Sequence, residues 1–209
     1  MSDSAASAAK ATVFVVDDDP AVCRAIAAGI EKVVGLPVAS FATAEEFLNR
    51  FDPEQAGCLV LDVKMPGMSG LELQEALVNR GANLPVIMIS GHAEVPTAVA
   101  AMRAGAIMLL EKPFDMRQLE DQVRQALAID VQEREKRRRR AAVAARVATL
   151  TDREREIMAL LIEGKTNKEI SLALSVSVPT VDKHRWKVLE KMDVQNTVEL
   201  VRRVGDLDL

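Results

Sequence analysis

The 209-residue chain carries 27 Lys plus Arg against 31 Asp plus Glu, a formal net charge of −4, with 49% apolar residues, 10 Gly and 8 Pro. That composition excludes collagen-like, disordered and disulfide-scaffold classes. The length admits one large domain or two small ones, each able to bury its own core. Cys23 and Cys58 stand far apart with no His or second Cys nearby, so they read as small core residues and not as a metal knuckle or redox pair. The longest uncharged apolar stretch, Ala104 to Leu110, is too short to span a bilayer, and the leader Met1 to Ala11 lacks an apolar signal core. The expected location is the cytoplasm, with no membrane partner.

Charge is uneven along the chain and locates its seams: net −8 over residues 1–130, +5 over 131–150 and −1 over 151–209. In the first segment, five short apolar runs alternate with amphipathic stretches: Thr12 to Val16, Pro37 to Phe41, Cys58 to Leu61, Pro85 to Ile89 and Ile107 to Leu110. Each is rich in Val, Ile or Leu and too short for a helix, the pattern of buried strands in a parallel α/β sheet covered on both faces. Helix starts fall between them, with Asp19 capping before Pro20 and a capping box at Thr43–Glu46.

From Asp115 to Thr149 there is no Gly or Pro, and Leu119, Val123 and Leu127 recur four apart. One helix from Asp115 to Ala148 would be about 50 Å long. Its tetrad Arg137 to Arg140 reads either as a solvated linker face or as a contact for nucleic acid or an acidic partner. The third segment is all helical by pattern. A capping box at Thr151–Glu154 opens a helix that stops at Gly164. Asn167 caps a helix from Lys168 to Leu174, and the turn Ser175-Val176-Ser177 leads into a helix ending near Met192. Asn196 with Glu199 opens a last helix ending near Val204. Four helices with a tight turn between the second and third predict a helix-turn-helix.

In an open doubly wound sheet, ligands gather beyond the carboxyl ends of the strands. The first run ends in Asp17-Asp18-Asp19, the third in Asp62, the fourth in Ser90 and the fifth in Glu111-Lys112-Pro113. Acids clustered at like charge need a cation, and an oxygen-only set suits Mg²⁺ (or Mn²⁺) with retained waters. Beside it, Asp62 can attack a phosphoryl group, Lys112 can balance an equatorial oxygen, and the Ser90 hydroxyl can donate to another. Singly, each has a bland reading: Asp19 and Ser90 as helix caps, Lys112 as a surface ion pair. Their joint placement points to a site.

The stretches Val15-Val16-Asp17-Asp18-Asp19-Pro20, Leu59-Val60-Leu61-Asp62-Val63-Lys64-Met65-Pro66-Gly67-Met68-Ser69-Gly70, Ile87-Met88-Ile89-Ser90-Gly91-His92 and Glu111-Lys112-Pro113-Phe114 resemble the receiver domain of bacterial response regulators, over about residues 11 to 129. The resemblance implies a flavodoxin-like, five-stranded parallel sheet of order 2-1-3-4-5. It also implies Asp17 and Asp18 as the metal-binding acids, Asp62 as phosphoacceptor, the Lys64 backbone carbonyl as a metal ligand, Ser90 as switch hydroxyl and a cis Lys112–Pro113 bond. The family's aromatic switch position, three residues before the lysine, holds Leu109 here, which departs from the pattern.

In a helix-turn-helix the second helix enters the major groove. On Val178 to Met192, Val181, His184, Val188 and Met192 form the packing stripe, with His184 read as a satisfied core histidine. Lys183, Arg185, Lys187 and Lys191 fall outside that stripe, as phosphate contact requires. The stretches Leu150 to Glu156, Gly164 to Ile170 and Val178 to His184 are similar to the LuxR/FixJ type of DNA-binding domain. That similarity implies base-facing Asp182, Lys183 and Trp186, with Thr180, Arg185 and Lys187 nearer the backbone. Asp182 can accept from a cytosine amine or extend the helix N-terminal charge, and Trp186 can touch a thymine methyl or pack in the domain.

The combined expectation is a two-domain transcriptional response regulator of the FixJ/StyR-like group: receiver 11–129, helical linker 130–148 and LuxR-type helix-turn-helix domain 149–209. Its implied partners are a sensor histidine kinase, promoter DNA, RNA polymerase and, on phosphorylation, a second copy of the chain. It is not expected to be an enzyme. Two rivals stand beside it. Asp17 and Asp19 after a strand also resemble the opening motif of haloacid-dehalogenase-type phosphatases, although Ala21 stands where those have Thr. The receiver could also be a dimer scaffold for a constitutive DNA-binding protein, to which Leu109 lends weight.

Overall fold

The computed structural model describes residues 11–91 and 94–205. Residues 1–10 of the leader and His92 of the fourth motif lie outside them. The chain divides between Glu133 and Arg134 into two compact units, each with a core of its own. Among the described residues no helix is long and apolar enough to cross a membrane.

The first unit runs β1 (Thr12–Val16), α1 (Pro20–Val34), β2 (Val38–Phe41), α2 (Ala44–Arg50), β3 (Gly57–Asp62), α3 (Gly70–Asn79), β4 (Val86–Ser90), α4 (Val95–Arg103) and β5 (Met108–Glu111), followed by α5 (Met116–Ala148). All pairings are parallel and the strand order is β2-β1-β3-β4-β5, as expected. The period of two in a strand sorts its side chains between two cores. Phe14, Val16, Leu59, Leu61 and Met88 meet Phe47, Leu73 and Leu77 of α2 and α3 on one face. Val13, Val15, Val60 and Ile87 meet Ile26 and Ile30 of α1 and Leu119 and Val123 of α5 on the other. Cys23 and Cys58 are buried thiols.

β3 begins one residue before the predicted run at Cys58 and β5 one after Ile107, while two other strand starts differ by the chemistry of proline. Pro37 and Pro85 have no N–H to give the ladder, yet their carbonyls accept from Val13 N at 3.0 Å and Leu59 N at 2.9 Å, so β2 and β4 begin one residue later. Asp19 caps α1 through Ala21 N at 2.7 Å. The box at Thr43 is half formed: Thr43 accepts from Glu46 N, while the Glu46 carboxylate takes the N–H of Ala42. In the segment predicted as a linker, Asp130 is buried in the first unit, accepting from Gly57 N at 3.0 Å, and Val143 is buried in the core of the second. Of the arginine tetrad, Arg139 pairs with Glu135.

The second unit adds α6 (Asp152–Ile162), α7 (Asn167–Leu174), α8 (Val178–Met192) and α9 (Thr197–Gly205). Ile157, Leu161, Ile170, Val181, Val188, Met192 and Leu200 form its core. The α7–α8 turn is closed by Ser175 in the left-handed region, φ 52°. The cap of α7 is Thr166 and not Asn167: Thr166 and Glu169 make a full capping box, and Asn167 is the first helical residue.

Lys191, expected to face phosphates, instead reaches inward. Its Nζ donates to Glu154 Oε2 at 2.6 Å and to Thr149 O at 3.0 Å. The bond from Lys191, with those from Thr151, holds the Glu154 carboxyl at about 2, well below its ordinary value. The folded state therefore favours the charged form. This contribution is complete above the unfolded value of about 4.3 and is lost as pH falls through that value towards about 2. Glu154→Gln keeps the capping box but loses the ion pair. It is expected to cost about 1–2 kcal/mol at pH 7, with the cost disappearing near pH 2; denaturant unfolding at both pH values checks this.

Candidate functional site

The carboxyl edge of the sheet gathers the polar residues. Asp17 follows β1, Asp62 ends β3, Ser90 ends β4, and Lys112 follows β5, held in register by its N–H on Ser90 O at 2.8 Å. Lys112 Nζ lies 2.6 Å from Asp17 Oδ2 and 2.8 Å from Asp62 Oδ1, bridging two buried carboxylates. Each acid commits its other oxygen to a nearby backbone N–H: Asp17 Oδ1 to Asp19 at 2.9 Å, Asp62 Oδ2 to Lys64 at 3.1 Å. Both side chains are therefore fixed in orientation.

Burial pushes the Asp62 carboxyl up from the ordinary carboxylate value, against the opposing hydrogen bond and charge of Lys112. Burial works against the Lys112 ammonium too, but the bonds and charges of Asp17 and Asp62 outweigh it and raise that group above its usual value. The half-buried ammonium attracts both carboxylates, while the two carboxylates repel one another.

Of the expected site residues, Asp17, Asp62 and Lys112 meet directly. Ser90 is buried at the same edge, paired in register with Glu111. Asp18 is exposed and, with Asp17 and Glu46, lines an open cavity of about 490 Å³ beside α1. Among the described residues no three His, Cys, Asp or Glu side chains cluster closely enough to hold a metal. The donors at this edge are nevertheless all oxygens, and the single ammonium of Lys112 only partly offsets the two buried carboxylates, a chemistry that fits a hard divalent ion. The Lys112–Pro113 bond is cis, and Leu109 is half-buried against the Phe47 side of the sheet.

Gly70, the end of the second receiver-like stretch and the first residue of α3, packs against the backbone of Asp62. A Cβ there would lie 2.2 Å from Asp62 O and 3.1 Å from Leu61 Cγ. Gly70→Ala is expected to destabilise the first unit by about 1–3 kcal/mol and to slow phosphoryl uptake by displacing Asp62. Unfolding and phosphodonor labelling, measured together, check both effects.

In the second unit α8 presents Asp182 and Lys183 to solvent, and Trp186 is 62% exposed, so it stands outside the core. Thr180 is half-buried and shares a 2.8 Å contact between its hydroxyl and that of Ser177. Lys187 is half-buried. Arg185, expected near the DNA backbone, is engaged within the domain: its guanidinium donates to Asn167 Oδ1 at 3.1 Å and Thr197 Oγ1 at 3.0 Å. Asn167 also donates to Asp182. His184 is half-buried, and its Nδ1 is buried without a hydrogen bond, contrary to the expectation of a satisfied core histidine.

Residues 13–124 match the response regulator receiver domain, and residues 148–204 match the bacterial regulatory proteins of the luxR family. The chain belongs to the response regulators, as a receiver joined to a LuxR-type DNA-binding domain, and is a transcriptional regulator and not a classical enzyme. It is 42% identical to the transcriptional regulatory protein FixJ of Azorhizobium caulinodans, over 91% of this chain and 90% of that protein. It is 38% identical to the response regulator protein TmoT of Ectopseudomonas mendocina, over 92% and 87%. The structure of response regulator StyR superposes with a TM-score of 0.83 at 40% identity, covering 94% of this chain and 99% of that one.

Proposed function

We propose that Asp62 accepts a phosphoryl group from a sensor histidine kinase, and that the phosphorylated chain dimerises and binds promoter DNA through α8. The observation that carries this reading is the Lys112 ammonium bridging Asp17 and Asp62. It marks a place built to balance negative charge beside a fixed carboxylate. Asp17, Asp18, Asp62 and the Lys64 carbonyl would hold the Mg²⁺ that receiver domains generally bind at this site. When bound, that ion supplies neutralisation of phosphoryl oxygens.

An Asp62 oxygen attacks phosphorus, the new O–P bond forms as the bond to the donor imidazole breaks, and the electron pair leaves with the imidazole. Lys112 offsets the charge on an equatorial oxygen, and the Ser90 hydroxyl donates to another. The acyl phosphate carries about −2 where the carboxylate carried −1, and this change in charge and shape favours one of two receiver conformations. Dimerisation then sets two DNA-binding domains on one duplex and raises the effective concentration of the second. Residues 11–129 serve as receiver, 130–148 as linker and 149–209 as DNA-binding domain, working in the cytoplasm with RNA polymerase.

Gel-shift titration on promoter fragments, with and without a phosphodonor, tests the whole reading. Phosphorylation should tighten binding, and indifference to it would favour the constitutive scaffold. Within the DNA contact, Lys183→Ala is expected to weaken specific binding by about 1–3 kcal/mol while leaving phosphorylation intact. An equal loss on random duplexes would reassign Lys183 to the phosphate backbone.

A further inference from the structure

Asn167 opens α7, but its side chain is not needed as a cap, because Thr166 and Glu169 fill that role. The amide turns across to α8 instead. Its Nδ2 donates to Asp182 Oδ1 and its Oδ1 accepts from Arg185 Nη1 at 3.1 Å, while Arg185 Nη2 donates to Thr197 Oγ1 at 3.0 Å. One line of hydrogen bonds, Asp182–Asn167–Arg185–Thr197, thus ties α7, α8 and α9 together. A primary amide donates at one end and accepts at the other, so it can hold a carboxylate and a guanidinium at once.

We propose that Asn167 is a specificity-determining positioning residue. It fixes Asp182 through Oδ1 and leaves Oδ2 to accept from the exocyclic amine of a cytosine in the major groove. This rests on the reading of α8 as the groove helix with Asp182 facing bases. An exposed carboxylate among DNA phosphates is repelled and mobile. Held by a neutral donor, it keeps one rotamer and one oxygen for a base. Cytosine offers a donor at N4 with no neighbouring acceptor on its own edge, whereas the N6 amine of adenine stands beside the N7 acceptor, which a carboxylate avoids.

The test is binding-site selection from random duplexes with the full-length, phosphodonor-treated protein, with thermal unfolding of each variant as control. The wild-type chain should enrich cytosine at one position of each half-site. Asn167→Ala should reduce discrimination at that position roughly tenfold, leaving the ranking elsewhere intact. The double exchange Asn167→Asp with Asp182→Asn rebuilds the bond in reverse and leaves Arg185 its acceptor, so it serves even if Asn167→Ala folds poorly. Its preference at the same position should move from cytosine to adenine.

If both variants lose affinity equally for all sequences with the preference unchanged, the positioning role is overturned. The base-facing reading of Asp182 then survives only if Asp182→Ala alone alters that position. If Asp182→Ala leaves the preference untouched, that reading fails and the inference falls with it.

Discussion

Asp62→Asn is expected to abolish phosphodonor-stimulated dimerisation and to leave only the weak DNA affinity of the unmodified chain. Two linked binding modules gain about 10²–10⁴ over either alone, so the loss in DNA affinity under phosphorylating conditions should be about 100-fold or more. The substitution is mild for the fold. Asn keeps an oxygen to accept from Lys64 N, and Lys112 keeps Asp17 as its partner. Because burial raises the Asp62 carboxyl, its charge opposes folding at neutral pH, and the variant should unfold no more easily than the wild type. Sedimentation and gel shift with and without acetyl phosphate check the functional loss, and thermal unfolding checks that the fold is retained.

Lys112→Met should have the largest effect on stability. It removes the ammonium from between two buried acids and leaves Asp17 and Asp62 facing one another without compensation. Breaking a buried pair by removing one partner costs about 3–5 kcal/mol; with the Lys112 side chain 24% exposed, about 2–4 kcal/mol is expected here. The dependence on pH should also steepen. Mutual repulsion raises the value at which one of the two acids takes a proton, so the variant gains stability as pH falls from 7 towards 5. A divalent cation that binds the folded acids should raise its unfolding midpoint more than that of the wild type. Denaturant titrations over this pH range, with and without Mg²⁺, measure all three effects.

The sheet was legible because its strands are buried on both faces, so they appear as unbroken Val, Ile and Leu runs whose polar ends mark the site edge. Asp17, Asp62 and Lys112 could be placed together from topology alone. What spacing within a helix could not show is which charged side chain finds a partner on another helix. Lys191 and Arg185 lie off the apolar stripe of α8 and resemble outward charges. Their partners Glu154, Asn167 and Thr197 come from α6, α7 and α9, and only the folded chain brings them near.

The capping error at Asn167 has a local cause. Thr166 and Asn167 are both good caps, and only Thr166 has a Glu three residues on. Reading that pair would have freed the amide for its role between Asp182 and Arg185. Asp18 was placed beside Asp17 by the resemblance to receiver domains; it is exposed and lines the same open cavity as Asp17.

The most direct test of the phosphate-capturing pocket is to label the chain with a small-molecule phosphodonor and locate the acyl phosphate by peptide mass, with and without a divalent cation. The account predicts the label on the peptide bearing Asp62, dependent on the cation and absent from Asp62→Asn. A label on Asp17, or one that persists unchanged when Asp62 is replaced, would contradict it.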